Sequence, residues 1–193
     1  MYIAIEGIDR AGKSTQINML KKRFKEWIYT KEPGGTRLGK KIRDILLHSG
    51  TVHPVAEYFL FLADRNEHIN SVVKPNLDKT IVSDRSYISG IAYAHANHIL
   101  PLKELIELNE TATQGIYPDK VVLLKLSQRE LEKRFHSQSL DSIEKRGPHY
   151  LMRVQNIMQE LIEKRAKDYL ILDASEPAED IFEKITNFIK GER

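Results

Sequence analysis

Apolar residues along this chain fall into two rhythms. Short unbroken runs rich in β-branched residues occur at YIAI (2–5), TIVS (80–83), VVLLKL (121–126) and YLILD (169–173), with a weaker run at WIYTKE (27–32). Runs of that length and composition read as buried parallel strands. Between them apolar positions recur at helical spacing over about 13–26, 37–48, 55–77, 86–97, 102–115, 128–138, 148–166 and 178–190. Repeated alternation of strand and helix predicts an α/β fold: a five-stranded parallel sheet with helices on both faces, joined by right-handed crossovers. Ligands of such sheets bind beyond the carboxyl ends of the strands.

At 193 residues, with no repeat or linker to divide it, the chain is expected to form one domain over 1–193. The polar stretch HSQSLDSIEKRG (136–147) has little helical periodicity before Pro148 and is expected to belong to a small lid over about 134–148. A net charge of +3 is too small to argue for nucleic acid, whose binders concentrate basic residues on one face; a small anionic ligand fits better. The apolar runs, YFLFLA (58–63) among them, fall short of the roughly 20 residues that span a bilayer, so no membrane association is expected. The start MYIAIEGID lacks the basic flank of a signal peptide and there is no cysteine, both of which suit the cytoplasm.

The segment GIDRAGKS (7–14) satisfies G-x-x-x-x-G-K-[ST], with a strand before it and a helix after it, as a P-loop requires. Its amides form an anion nest, and the positive end of the following helix adds to the pull on a diphosphate. Lys13 then reaches the β and γ phosphates while Ser14 ligates Mg²⁺. A P-loop alone does not distinguish a kinase from a nucleotide switch. The guanine-reading N-K-x-D of a GTPase is missing, however; NLDK (76–79) has the wrong order.

The run SDRS (83–86) sets Asp84 and Arg85 at a strand's carboxyl edge, beside the P-loop if that strand neighbours the first. There an acid can hold Mg²⁺ and an arginine can clamp a phosphate; elsewhere the two would be a surface ion pair. In EYFLFLADR (57–65), Phe61 and Arg65 share a helical face, a ring to stack on and a guanidinium to read a planar base. Phe61 also reads as part of a buried FLFL stripe. Of Arg37, Lys40, Lys41 and Arg43 in one short helix, most are expected to be solvated and one to touch substrate.

The segments IAIEGIDRAGKSTQ, TKEPGGTRLGKKIR, FLFLADR, VSDRSYISGIAY, GIYPDKVVLLKL and LILDAS together resemble the thymidylate kinase family in order and spacing, over nearly the whole chain. The resemblance implies a P-loop nucleoside monophosphate kinase fold that moves the γ-phosphoryl group of ATP to dTMP, usually as a homodimer. It implies an ATP site of Gly7, Ile8, Asp9, Arg10, Ala11, Gly12, Lys13, Ser14, Thr15 and Arg134, with Mg²⁺ held by Ser14 and Asp84. It implies that Phe61 stacks on thymine, Arg65 bonds its edge, Arg43 and Arg85 clamp the acceptor phosphate, and Asp9, Ser89 and Tyr93 line the sugar and base pocket. Glu32 and Pro33 correspond to a turn shaping that pocket. Ser86, Ala94, Lys31 and Lys125 depart from the usual pattern.

Members of the family supply a mobile arginine either from the P-loop or from a D-R-x-E in the lid. Here the lid reads DSIE (141–144), so Ser142 carries no charge and Arg10 is expected to be the catalytic arginine alongside Lys13, Asp9 and Arg85, with Arg134, Lys145 and Arg146 as helpers. The attacking phosphate oxygen is already ionised, so no general base is needed. Asp9 either positions the acceptor or caps its own loop. A deoxynucleoside kinase is the rival reading; it would need a carboxylate base, for which Glu6 or Glu32 could serve.

Overall fold

The computed structural model describes residues 1–48, 52–135 and 146–191. Five strands form one parallel sheet: β1 (Tyr2–Glu6), β2 (Ile28–Lys31), β3 (Ile81–Asp84), β4 (Lys120–Lys125) and β5 (Tyr169–Asp173), in the order β2-β3-β1-β4-β5. All five residues of β1 are buried, because it has a strand on each side and helices above and below. Each Ile removed from water there contributes about 1.5–3 kcal/mol.

The described helices are α1 (Lys13–Arg23), α2 (Arg37–His48), α3 (Pro54–His68), α4 (Tyr87–Ala96), α5 (Leu102–Thr113), α6 (Gln128–Phe135), α7 (Pro148–Arg165) and α8 (Ala178–Lys190). α1 packs with α8, and α4 packs with α7 and α5. Two caps explain where site-bearing helices begin. Thr36 Oγ1 accepts the Gly39 N–H at 2.9 Å ahead of α2, and Ser86 caps α4 by accepting from Ile88.

Two expected helices end early. α1 stops at Arg23 rather than 26, where Phe24 leaves helical geometry and stacks on Trp27 with ring centroids 4.0 Å apart. The helix expected over 55–77 is α-helical only to His68, then passes through a π turn (Ile69–Val73) and a 3-10 turn (Lys74–Asn76). Asn70 and Asn76 side chains donate to carbonyls four residues back at 2.8 Å, and Pro75 removes a backbone donor, so the α ladder is replaced.

The sheet order fixes the site. β1 and β3 are neighbours in a register that pairs Ile5 with Asp84, and the Arg85 N–H donates to Ile5 O at 3.0 Å. The ends of these two strands therefore lie side by side. The Glu32 N–H donates to Asp84 O at 3.0 Å, which brings the end of β2 to the same edge.

Candidate active site

The loop after β1 needs its glycines. A Cβ on Gly7 would lie 2.7 Å from Leu124 O of the neighbouring strand, and Gly12 opens α1 at φ 90°, in the left-handed region. Between them Arg10 also has positive φ, at 69°. Lys13 Nζ donates to Ile8 O at 3.0 Å, arching back over its own loop. Burial and then the Arg85 charge push the Lys13 ammonium down to about 8, although Asp9, Asp84 and Glu6 oppose that shift. A cleft opens in front, lined by Arg10, Lys13, Ser14, Lys31, Asp84 and Arg85 among others. Lys31 is thus an exposed cation on the rim of this cleft.

Asp9 does not cap its own loop through the bonds seen here. Its carboxylate accepts from Arg85 at 2.6 Å and from Tyr93 at 3.2 Å. Burial pushes its pKa up, but Arg85 and Lys13 outweigh that and hold it at about 2. Arg85 also donates to Gly7 O at 2.9 Å and to Ser89 Oγ at 3.0 Å, and its guanidinium lies 5.4 Å from the Tyr93 ring centroid. The expected grouping of Asp9, Arg85, Ser89 and Tyr93 is therefore observed around one guanidinium. Asp84 Oδ1 is buried and has no hydrogen-bond partner among the described residues.

Arg85 also lines a second cavity, formed by Asp9, Glu32, Pro33, Arg43, Phe61, Arg65, Arg85, Ser89 and Tyr93, the whole expected acceptor set, together with Leu46, Leu47, Ser86 and Gly90. Arg43 is the one of the four basic residues in α2 that reaches it, donating to Pro33 O at 3.1 Å; Arg37, Lys40 and Lys41 are exposed. Glu32 and Pro33 are joined by a cis peptide bond. Phe61 is half-buried in the cavity wall and Phe59 is 51% exposed, so FLFL is not the continuous buried stripe expected; Tyr58 and Leu62 carry the core contact.

Arg65 is 2% exposed and is held on three sides. It donates to Glu32 Oε2 at 2.9 Å, to Asn109 Oδ1 at 2.7 Å and to Ser86 O at 3.1 Å, which commits three of its five N–H donors. Glu32 stays below the usual carboxylate range: burial raises it, and Arg65 and His68 together overcome that. Glu6 is fully buried, accepts from the Ser86 and Ser89 hydroxyls, and is pushed up by burial despite them. Ser86 thereby ties the start of α4 to β1. Ala94 is buried in α4, and Lys125 donates to Gln159 at 2.6 Å.

Arg10 and Arg134 exchange bonds: Arg10 donates to Arg134 O, and Arg134 donates to Arg10 O and to Ala174 O, both at 2.9 Å. Arg134 also lines a smaller cleft with Gly12, Thr15 and Ala174. Arg146 is tied elsewhere, donating to Glu57 Oε2 at 2.9 Å and to Tyr150 at 3.1 Å. Ser142, Lys145 and most of the expected lid lie outside the described residues. The parts of this site that sequence reasoning missed are Asn109, Gly90, His68 and the tying role of Glu6. None has a local signal, since each acts on a partner distant in sequence.

The thymidylate kinase family model matches residues 5–185. Curated relatives named thymidylate kinase include one from Aliarcobacter butzleri, 50% identical over 189 residues that cover 98% of each chain. Another, from Sulfurimonas denitrificans, is 47% identical over 98% of this chain and 99% of the relative, and one from Wolinella succinogenes is 50% identical over 97% of each.

Proposed function

The chain belongs to the thymidylate kinase family, and from that premise we propose that it transfers the γ-phosphoryl group of ATP to dTMP, forming dTDP and ADP. The observation that supports this reading is that the P-loop cleft and the aromatic, arginine-lined cavity adjoin, sharing Asp9, Glu32, Arg43 and Arg85 in their walls. Two anionic nucleotides can meet there, with one guanidinium between them.

In this reading an ionised phosphate oxygen of dTMP attacks the γ phosphorus. The bond from that phosphorus to the bridging oxygen breaks, and its electrons stay on ADP. The acceptor needs no proton removed, so the work is alignment and charge neutralisation. Lys13 and the loop amides of 7–15 hold the donor, and Arg43 and Arg85 hold the acceptor phosphate. Asp9 keeps Arg85 aimed, Phe61 stacks on the base, Arg65 bonds its edge, and Tyr93 and Ser89 close the sugar side. Arg10, rooted in the P-loop and lining the donor cleft, is assigned to the charge on the transferring group. Arg134 is assigned to the donor nucleotide, in keeping with its cleft beside Gly12 and Thr15.

The site also suits Mg²⁺. Asp84 Oδ1 is buried without a hydrogen-bond partner among the described residues, and Asp84 and Ser14 line the same cleft as Lys13. Ser14 and Asp84 would hold the ion, which when bound neutralises charge on the triphosphate.

A deoxynucleoside kinase would need a carboxylate free to take a proton. Glu6 is occupied by two serine hydroxyls, and Glu32 by Arg65 and His68. The acceptor is therefore read as already ionised. The deciding assay measures ADP release with dTMP, thymidine and UMP in parallel at fixed ATP and Mg²⁺. Turnover of dTMP well above the others is expected, and turnover of thymidine but not dTMP would overturn the assignment.

Among the described residues no helix is long and apolar enough to cross a membrane. We read the chain as one cytoplasmic kinase domain over 1–193, acting without nucleic acid. We read it as a homodimer joined across the outer faces of α2 and α3, where Leu38, Ile45 and Phe59 are exposed; a mass measurement in solution checks the last point.

A further inference from the structure

Arg65 is held by a relay that runs deep into the protein and ends at a residue with no place in the chemistry above. Glu32 has two carboxylate oxygens, both buried. One accepts from Arg65 Nε at 2.9 Å, and the other lies 2.8 Å from His68 Nδ1. The remaining ring nitrogen of His68 lies 2.7 Å from Thr30 Oγ1. His68 and Glu32 are 0% and 4% exposed. Only an N–H at Nδ1 can satisfy the carboxylate, so the ring carries a proton there and turns Nε2 to the Thr30 hydroxyl.

Two glycines make room for this chain of contacts. A Cβ on Gly35 would stand 2.6 Å from Thr30 Oγ1 and 2.7 Å from His68 Cδ2. A Cβ on Gly90 would stand 2.8 Å and 2.9 Å from the two terminal nitrogens of Arg65. Both ends of the relay are thus packed against bare backbone, and a slack histidine would not need such clearance. Phe61 lies four residues before Arg65 on α3, and His68 three after it, so one helix carries the stacking ring, the guanidinium and its strut.

We propose that His68 is a positioning residue for base recognition: by donating to Glu32 from Nδ1 it fixes the carboxylate that orients Arg65 in the acceptor cavity. The inference rests on the acceptor reading given above, and it adds that affinity for dTMP depends on a buried donor that never touches the nucleotide. Without that donor, one anionic oxygen of Glu32 is left buried and unpaired. Glu32 then turns to find a partner and takes the Arg65 head with it.

The test uses the full chain and two substitutions of nearly equal shape. His68→Leu removes the donor, whereas His68→Asn returns an amide N–H close to the position of Nδ1. His68→Leu is expected to raise the KM and the calorimetric Kd for dTMP by about 10-fold or more, the weight of one charge-assisted hydrogen bond, with kcat and the KM for ATP changed by less than about two-fold. His68→Asn is expected to stay within about three-fold of the parent on all of these. Equal losses in the Leu and Asn variants, an unchanged KM in the Leu variant, or a loss shared by dTMP and ATP would each overturn the proposal. If His68→Leu does not fold, Thr30→Val decides: a KM for dTMP raised several-fold supports the relay and an unchanged one overturns it. Failure of the parent chain to phosphorylate dTMP is a separate result, and it would sink the acceptor reading itself.

Discussion

Replacing Gly90 by Ala tests how tightly the acceptor cavity holds its arginine. The added methyl carbon would lie 2.8 Å and 2.9 Å from the terminal nitrogens of Arg65 and 3.3 Å from Cζ. Non-bonded heavy atoms settle about 3.5 Å apart at the closest comfortable approach, so the guanidinium must retreat by about 0.6 Å. It has no slack for this, because Asn109, Ser86 and Glu32 hold it at 2.7, 3.1 and 2.9 Å and the side chain is buried. Losing one such bond to a charged group is worth about 2 kcal/mol, or roughly 30-fold in affinity. Stability feels a competing term, since Ala in a helix interior gains about 0.5–1 kcal/mol over Gly. The net loss is about 1 kcal/mol, a drop in Tm of about 2–4 °C for a chain of this size. Coupled ADP-release kinetics with dTMP varied at saturating ATP should show KM raised between about 10- and 100-fold while the KM for ATP stays within about two-fold. A KM for dTMP within two-fold of the parent would refute the reasoning, because it would mean that Arg65 can move without consequence.

Arg10→Ala is expected to lower kcat by roughly 10²- to 10³-fold, the effect of removing one donor aimed at transition-state charge, with little change in the KM for dTMP; near-normal kcat would remove Arg10 from the chemistry. Asp64 supplies a pH test: it is 1% exposed, and burial pushes its pKa up from 3.8 to about 6 even though the Gly34 N–H bonds it at 2.9 Å. The folded state therefore holds this proton more tightly than the unfolded chain does. The charged form disfavours folding above pH 6, by about 3 kcal/mol at most, and that penalty is relieved as pH falls through about 6 towards 3.8. Thermal melts should show Asp64→Asn more stable than the parent at pH 7.5, with the gap narrowed by about half at pH 5 and closing below about pH 4; a gap independent of pH would contradict the sign.

The alternation of strands and helices was legible because each run matched one period, and β5 and α2 coincide with their expected limits. Ends set by side chains far from the pattern were not, as where the Phe24 and Trp27 stack halts α1 and Asn70 diverts α3. The donor loop could be read from eight consecutive residues, since its chemistry is made by adjacent amides. The acceptor cavity was only half legible. Phe61 and Arg65 share a helix face and announce themselves, but the partners that give Arg65 its orientation come from the residue after β2, the N-cap of α4 and the middle of α5. Separations of 21 to 44 residues leave no periodic trace. FLFL misled for a related reason: apolar content alone does not say that Phe59 faces outward while Phe61 borders a cavity.

Glu6 is the last residue of β1 and the covalent neighbour of Gly7, yet through Ser86 and Ser89 it also grips the opening turn of α4. The cradle for one nucleotide and a wall for the other are thus bolted to a single mount in the middle of the sheet. In the proposed reading, the spacing between donor and acceptor is set by a few neighbouring bonds in the buried middle of the sheet. On that reading, in-line transfer draws its alignment from one fixed mount rather than from two separate anchors.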